Sequence, residues 1–295
     1  MLVALLAGKD FLRTTLPFCG CPRGGALWQG VAQDCGAVKW TLKSARKYMK
    51  VSLITPTFQR EQFHSRILKC FRSQSHSDIE WLILDDSPTP SKTLAGLEYD
   101  NIKYYHTHER MLIGDKRNWL AERCSGDFIA HFDDDDFYAK EYTSTMLSAI
   151  DERGLDFLNL RGWFVHDIRS SFFGYWDMTK KTGKHYVCDW AGVSSVDFEN
   201  EDFLGPTNEL GWGFGFFYRK KVWEAIKFPS QNWKEDGIFS VEVHSQFKAG
   251  GLMDSTGICL HEVHGKNSSR CFPQYNIPSF FINRVFPDYT EIEAG

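Results

Sequence analysis

The sequence predicts an α/β fold, in which a mostly parallel, Rossmann-like sheet is flanked by helices within a single domain. Two observations lead to this prediction. Short apolar runs rich in β-branched residues alternate with segments whose apolar residues recur at helical spacing, and such alternation favours strands covered by helices. The composition is that of a globular chain, since 42% of its 295 residues are hydrophobic and 24% are charged.

The readable pattern begins with two strands and the helix between them. The run VSLIT at 51–55 predicts a buried strand that Pro56 ends. Segment 60–74 carries apolar residues at helical spacing, which predicts an amphipathic helix. The run IEWLILDD at 79–86 predicts a second buried strand, which ends in two aspartates before a Ser-Pro break.

A strand, a helix and another strand follow. Residues 101–108 predict the third strand, and residues 113–126 predict a helix that Gly126 ends. The run DFIAHF at 127–132 predicts the fourth strand. Because the ligand crevice of such a sheet lies outside the carboxyl ends of its strands, polar residues at those ends are candidate site residues. They are Pro56-Thr57, Asp85-Asp86 and Asp133 to Asp136.

The four consecutive aspartates, Asp133 to Asp136, predict a metal site. Four adjacent carboxylates repel one another, and a hard divalent cation with oxygen ligands would offset that repulsion. On an extended chain, carboxylates two residues apart project to the same side and can share one ion. The alternative interpretation is an acidic surface turn or a helix N-cap, both of which suit aspartate.

Charge and hydropathy argue against a nucleic-acid partner and against a transmembrane segment. The net charge of −4 argues against a nucleic-acid partner, which would favour a basic face. No apolar run reaches the roughly 20 residues of a membrane helix, so we predict no transmembrane segment.

The first 48 residues and the cysteines bear on domain organisation and compartment. Residues 1–48 show no clean periodicity and are interpreted as an N-terminal extension, either a targeting segment or poorly ordered. The eight cysteines form no CxxC pair and no disulfide framework, which favours the cytoplasm. The extension and the sequon at Asn267 keep the secretory pathway or an organelle open.

An ordered set of motifs resembles family 2 glycosyltransferases of the GT-A fold, within the nucleotide-diphospho-sugar transferases. The motifs are SLITPTFQR, LILDDSP, IGDKRNWLAERCSGDFIAHFDDDDFY and WKEDGIF, and they span about 50–265. The resemblance implies one catalytic domain over 49–295. Its nucleotide-sugar half is expected at 49–140 and its acceptor and catalytic half at 141–295.

The resemblance also implies the reaction and the donor site. The expected reaction is a metal-dependent, inverting transfer from a nucleotide-diphosphate sugar, UDP-sugar in the first instance, to a hydroxyl of a carbohydrate, lipid or protein. The implied donor-binding residues are Pro56, Thr57, Asp85, Asp86, Lys116, Arg117, Asp133 and Asp134. The alternatives are a simple turn for Asp85 and two solvated helix residues for Lys116 and Arg117.

For the metal, Mn²⁺ or Mg²⁺, the resemblance implies Asp135 and Asp133, the D-x-D pair, together with His264. Four identical residues do not fix the register of that pair. A hydrogen-bonded or surface histidine is the alternative for His264.

For catalysis, the resemblance implies Asp236 as the base and Glu235 as an acceptor-binding or orienting residue. The alternative for this pair is a helix N-terminal acid pair stabilised by the helix dipole. Trp212 and Trp233 are the candidate acceptor-stacking residues.

Two other functions remain open at this point. A nucleotidyltransferase also uses strand-end aspartates and magnesium, but it would be expected to have a Gly-rich phosphate loop, and TPTFQRE contains no glycine. The other is a non-catalytic relative that binds a sugar or a nucleotide.

Overall fold

The computed structural model describes residues 49–199, 205–267 and 269–291, with no side-chain detail for 206–208. The interpretation of 1–48 as an extension therefore lies outside the described residues. The strands are β1 Val51–Thr57, β2 Ile79–Asp85, β3 Ile102–His106, β4 Phe128–His131, β5 Phe137–Tyr138, β6 Phe157–Asp167, β7 Phe172–Asp177, β8 Gly183–Asp189, β9 Gly192–Phe198, β10 Phe217–Arg219, β11 Ala249–Met253, β12 Cys259–Val263 and β13 Tyr275–Ile277. The α-helices are α1 Glu61–Ser73, α2 Ile113–Arg123, α3 Tyr142–Glu152, α4 Gly205–Leu210, α5 Lys220–Ala225, α6 Glu235–Gln246 and α7 Ile282–Val285. The 3₁₀ turns are Gly213–Gly215 and Ser279–Phe281.

The central sheet has the strand order β13-β7-β6-β10-β4-β1-β2-β3. Strands β4, β1, β2 and β3 are parallel neighbours, while β10 is antiparallel to both β4 and β6. The predicted α/β sheet flanked by helices is confirmed. Strand β10 was missed, because its three residues run straight into α5 and give too short a pattern to separate from a helix.

Strand β1 continues through Pro56, so the prediction that this proline ends the strand is wrong. Pro56 pairs with Leu84 of β2, and β1 reaches Thr57. Pairing with β4 stops at Ile54 opposite His131. Among the described residues, no strand pairs with β1 on the β4 side beyond that point, so no carbonyl there needs an N–H from residue 56 and a proline is tolerated.

The core lies beneath the helices on the parallel strands, and every residue of β1, β2 and β4 is buried. Helix α2 ends at Arg123, so Gly126 is not its stop as predicted. A Cβ on Gly126 would lie 2.7 Å from Ser52 Oγ and 2.8 Å from the Lys50 carbonyl oxygen. Glycine is needed there because two backbone segments approach closely.

The aspartate run is a turn between β4 and β5, with residues 134–136 in turn or bend conformation. The expectation of alternating side chains on an extended chain is therefore wrong for this segment. A turn instead directs each carboxylate to a different neighbour. We call residues 133–136 the acid loop.

Among the described residues, no helix has both the length and the apolar character needed to cross a membrane.

Candidate active site

A cleft of about 840 Å³ lies beside the acid loop. Its lining includes ten of the residues predicted for the site. They are Pro56, Lys116, Arg117, Asp133, Asp134, Asp135, Trp212, Trp233, Glu235 and Asp236. Thr57, Asp85, Asp86 and His264 are not part of the lining.

Asp135 is the aspartate beside the candidate histidine ligand. His264 Nε2 lies 3.0 Å from Asp135 Oδ2, and Arg60 Nη2 lies 3.7 Å from the same oxygen. Burial opposes ionisation, but His264 and Arg60 outweigh it and hold the pKa of Asp135 at about 2. The Asn267 side-chain oxygen accepts the His264 backbone N–H at 2.7 Å, and its amide nitrogen donates to the Glu262 carbonyl at 2.8 Å. The sequon asparagine thus holds the loop that carries His264.

Asp134 and Asp136 are buried beside this pair. Asp136 Oδ1 lies 2.8 Å from His261 Nδ1 and accepts the Glu262 backbone N–H at 3.1 Å. Burial raises the pKa of Asp134 to about 8 and that of Asp136 to about 6, and neighbouring Asp135 adds to both shifts. Among the described residues, the Oδ2 atoms of Asp134 and Asp136 have no hydrogen-bond partner. A buried carboxylate oxygen without a protein donor takes a proton, a water molecule or a cation as its partner.

Arg117 joins the acid loop to the predicted catalytic pair. Its Nη1 lies 3.4 Å from Asp133 Oδ1 and its Nε lies 3.4 Å from Glu235 Oε1, while His131 Nδ1 lies 2.9 Å from Nη1. Burial lowers its pKa, but the carboxylates of Asp133, Glu235 and Asp236 outweigh that effect and raise it. The guanidinium is thus paired with protein carboxylates, and phosphate binding by Arg117 stays a prediction.

Asp86 orients two cations. Lys116 Nζ lies 2.8 Å from Asp86 Oδ1 and donates to the Thr57 carbonyl at 3.0 Å. Arg110 also pairs with Asp86, and its guanidinium carbon lies 3.5 Å from the ring centroid of Phe58. Both cations line the cleft. Sequence reasoning missed Arg110, because a single arginine in an irregular loop forms no pattern.

Asp85 makes the contacts of a turn residue. Its Oδ1 accepts the Ser87 backbone N–H at 2.9 Å, and its Oδ2 accepts the Tyr104 hydroxyl at 2.7 Å. These contacts match the turn that was its alternative interpretation. Contact of Asp85 with a nucleotide base or ribose stays a prediction.

The predicted catalytic pair, Glu235 and Asp236, begins α6. Lys234 precedes it with a left-handed φ of 62°, which turns the chain into the helix. Asp236 Oδ2 accepts the Gly213 backbone N–H at 3.0 Å. Burial and the neighbouring Glu235 carboxylate raise the pKa of Asp236 to about 7. A carboxylate that titrates near neutral pH suits a general base.

The two predicted acceptor tryptophans differ in exposure. Trp212 is buried, with its ring centroid 4.8 Å from that of Trp176 and 5.4 Å from that of Trp163. Trp233 is 63% exposed. Trp190, which sequence reasoning missed, is 58% exposed and lines the same cleft. Trp233 and Trp190 therefore expose ring surface in the cleft, whereas Trp212 packs mainly in the core.

The residues present fit an open metal site rather than a closed one. Within the described ranges, no group of three His, Cys, Asp or Glu side chains is arranged to hold an ion by itself. Asp135 and His264 meet at one point beside the cleft and supply one oxygen and one imidazole donor, which suit Mn²⁺. Mg²⁺ and related ions commonly take few protein ligands and complete their shell with water and substrate phosphates.

Comparisons with known proteins show the family and the fold. The family described as Glycosyl transferase family 2 matches residues 52–225. The match covers more than half of the chain, and the chain belongs to this family. Its fold is the GT-A fold.

Two curated relatives illustrate the family. Glycosyltransferase GlyA of Streptococcus pneumoniae is 20% identical over 198 residues, which are 66% of this chain and 28% of that protein. The GalNAc(5)-diNAcBac-PP-undecaprenol beta-1,3-glucosyltransferase of Campylobacter jejuni is 30% identical over 109 residues, 35% of each chain. This chain thus spans about a third or less of the length of these relatives.

Solved structures show the same fold. TarS 1–349 of S. aureus in complex with UDP is 20% identical with a TM-score of 0.55, and the match covers 73% of this chain and 61% of that one. Mannosyltransferase PcManGT from Pyrobaculum calidifontis, in complex with GDP-Man and Mn²⁺, is 14% identical with a TM-score of 0.50, covering 79% and 66%.

Proposed function

We propose that the protein is a metal-dependent, inverting glycosyltransferase that moves a sugar from a nucleoside-diphosphate donor, a UDP-sugar, to an acceptor hydroxyl. One observation carries the proposal. The acid loop and Asp236, whose pKa is raised to about 7, line the same cleft. The buried Arg117 contacts both Asp133 and Glu235. A donor and an acceptor bound in this cleft would therefore have both the acid loop, as a candidate metal site, and Asp236, as a candidate general base, beside them.

The chemistry needs one base and no covalent enzyme intermediate. Asp236 takes the proton of the acceptor hydroxyl while that oxygen forms a bond to the anomeric carbon of the donor. The bond from that carbon to the diphosphate oxygen breaks, and the nucleoside diphosphate leaves with the electron pair. A single displacement from the opposite face inverts the anomeric configuration. The Gly213 N–H, 3.0 Å from Asp236 Oδ2, keeps the base in place.

The donor end has its own set of groups. Mn²⁺ or Mg²⁺ held by Asp135 and His264, with Asp133 beside them, would neutralise charge on the donor diphosphate. Lys116 and Arg110 add positive charge to the cleft wall. The UDP and UDP-GlcNAc complexes of TarS support a UDP-sugar donor, and the Mn²⁺ complex of PcManGT supports the metal.

Ligand-dependent stability tests the proposal. Purified protein is heated with UDP, GDP, CDP or ADP, each with and without Mn²⁺. At about 100 times its dissociation constant a ligand adds about 2.7 kcal/mol of stability. We expect UDP to stabilise the protein when Mn²⁺ is present and Asp135→Ala to remove that effect. The matched control is His108→Ala, because His108 is exposed and does not line the cleft.

Two results would contradict the proposal. One is a folded protein that no nucleoside diphosphate stabilises with metal. The other is a transfer product that retains the donor's anomeric configuration, as read from proton NMR couplings of the new glycosidic bond.

A further inference from the structure

An exposed tryptophan stands at the tip of a hairpin beside the cleft. Strands β8 and β9 form a hairpin whose tip is Trp190 and Ala191. Trp190 is exposed, yet it lines the same cleft as Asp236. Among the described residues with large, exposed apolar side chains, only Trp190 and Trp233 line this cleft. An exposed aromatic ring at a catalytic cleft indicates a ligand contact.

The hairpin tip is held in place by its backbone. Cys188 and Cys271 exchange two backbone hydrogen bonds of 2.9 and 3.0 Å, which fix the hairpin to the segment before β13. Arg169 Nη1 donates to the Trp190 carbonyl at 2.9 Å and also pairs with Asp167. A ring carried on a fixed backbone loses little further entropy on binding.

One face of the Trp190 ring is already covered. The guanidinium carbon of Arg270 lies 4.3 Å from the ring centroid, and Arg270 Nε lies 3.8 Å from Asp189 Oδ2. The cation–π contact and the ion pair together hold the ring. Because Arg270 covers one face, the exposed area of Trp190 belongs to the other face and the edges.

Trp233 repeats this arrangement next to the catalytic pair. Its ring has Lys234 Nζ 4.6 Å from the centroid, and it stands two residues before Glu235 in the chain. Trp190 and Trp233 belong to distant parts of the sequence, but both line one cleft. The cleft therefore offers two exposed aromatic rings, each backed by a cation.

We propose, building on the transferase function above, that the acceptor is a carbohydrate and that its sugar rings stack on Trp190 and Trp233. A pyranose ring has an apolar face that suits an indole and a rim of hydroxyls that suits polar neighbours. Asn232, Ser269 and Arg270 also line the cleft and supply such neighbours. A hydrocarbon chain in the same place would strip water from these groups without replacing their hydrogen bonds.

Saturation-transfer NMR and calorimetry with unlabelled oligosaccharides test the inference directly. The panel is maltohexaose, cellohexaose, chitohexaose, xylohexaose and mannohexaose, with decyl phosphate as the lipid-like probe. We expect at least one oligosaccharide to bind, and Trp190→Ala to weaken it roughly three- to tenfold. Trp190→Phe should restore most of the affinity. The matched control is Phe280→Ala, which removes an aromatic ring that is 76% exposed outside the cleft and should leave the affinity unchanged.

Two outcomes overturn the carbohydrate inference: decyl phosphate binds and no oligosaccharide does, or Trp190→Ala binds the oligosaccharide as the wild type does. Stabilisation by UDP with Mn²⁺ is measured on the same wild-type sample. Sugar binding that depends on Trp190 without any nucleotide binding supports the carbohydrate site and contradicts the transferase. Nucleotide binding without sugar binding contradicts the carbohydrate site alone.

Discussion

Arg117 Nε lies 3.4 Å from Glu235 Oε1, which joins helix α2 to the start of helix α6 inside the protein. The same guanidinium lies 3.4 Å from Asp133 Oδ1 of the acid loop. One buried cation therefore holds together the acid loop and the helix that carries the proposed base.

Replacement of Arg117 should destabilise the fold strongly. Arg117→Met leaves Glu235 buried and Asp133 partly buried without a counter-charge, and breaking a buried pair costs about 3–5 kcal/mol. Urea unfolding measures the loss. Arg123→Met is the matched control on the same helix, because Arg123 pairs with exposed Glu122 and such a pair contributes about 0–1 kcal/mol. Equal losses for the two variants would show that Arg117 does not bridge the site.

The proposed base sets the pH dependence of activity. Only ionised Asp236 can accept a proton, and burial beside Glu235 raises its pKa to about 7. We expect kcat/KM to rise with pH up to about 7 and then level off. Asp236→Asn should lower kcat by roughly 10²–10⁴-fold without weakening UDP binding. A profile that is flat below pH 7, or a variant with wild-type kcat, would exclude Asp236 as the base.

The same carboxyl group should also reduce stability at neutral pH. Its folded pKa of about 7 exceeds the reference value of 3.8, so the folded state binds more protons between those values. Stability present below about pH 3.8 is therefore lost as the pH rises to about 7. Asp236→Asn removes this loss and should raise the melting temperature at pH 8 relative to wild type. At pH 4 the two proteins should melt at closer temperatures.

Asn267 should tune metal affinity without touching the metal. Its side chain accepts the His264 backbone N–H at 2.7 Å and so positions the proposed ligand. Residues that orient a ligand typically change metal affinity by about 10–100-fold. Asn267→Ala should shift the Mn²⁺ titration of UDP binding to higher concentrations in that range. Asn101→Ala, which loses one hydrogen bond to Ile79 away from the cleft, should leave the titration unchanged.

Gly114 should tolerate no side chain. A Cβ there would lie 1.9 Å from the Pro229 carbonyl oxygen, and the Gly114 N–H donates to the Gln231 carbonyl at 3.1 Å. Gly114→Ala must push away the segment that leads into α6, with an expected cost of about 1–3 kcal/mol and a lower kcat. Neighbouring Asp115→Ala loses only the exposed bond to Ser230 and should cost less than about 1 kcal/mol. If Gly114→Ala keeps the wild-type kcat, the close approach of Gly114 to Pro229 does not affect catalysis.

The parallel strands of the first half of the fold could be predicted from the sequence. The strands of the second half, expected to bind the acceptor, largely could not. Strands β1, β2 and β4 are continuous apolar runs because both faces are buried, and such runs are visible in sequence. Strand β10 pairs with β4 and β6, which precede it by many residues, and its own three residues give no period. The hairpin that carries Trp190 is fixed by two backbone hydrogen bonds between Cys188 and Cys271, and no local sequence pattern predicts this pairing.

By itself, the sequence determined the kind of protein: buried strands that end in polar residues, an acid run, and an acid pair farther along, in one order. It could not distinguish four identical aspartates. The tertiary structure did so, because a turn directs each side chain to a different neighbour. Asp133 lies at Arg117, Asp135 at His264 and Asp136 at His261, while Asp134 is buried beside them. Partners from distant segments and burial, not the residue type, give each carboxylate its own pKa.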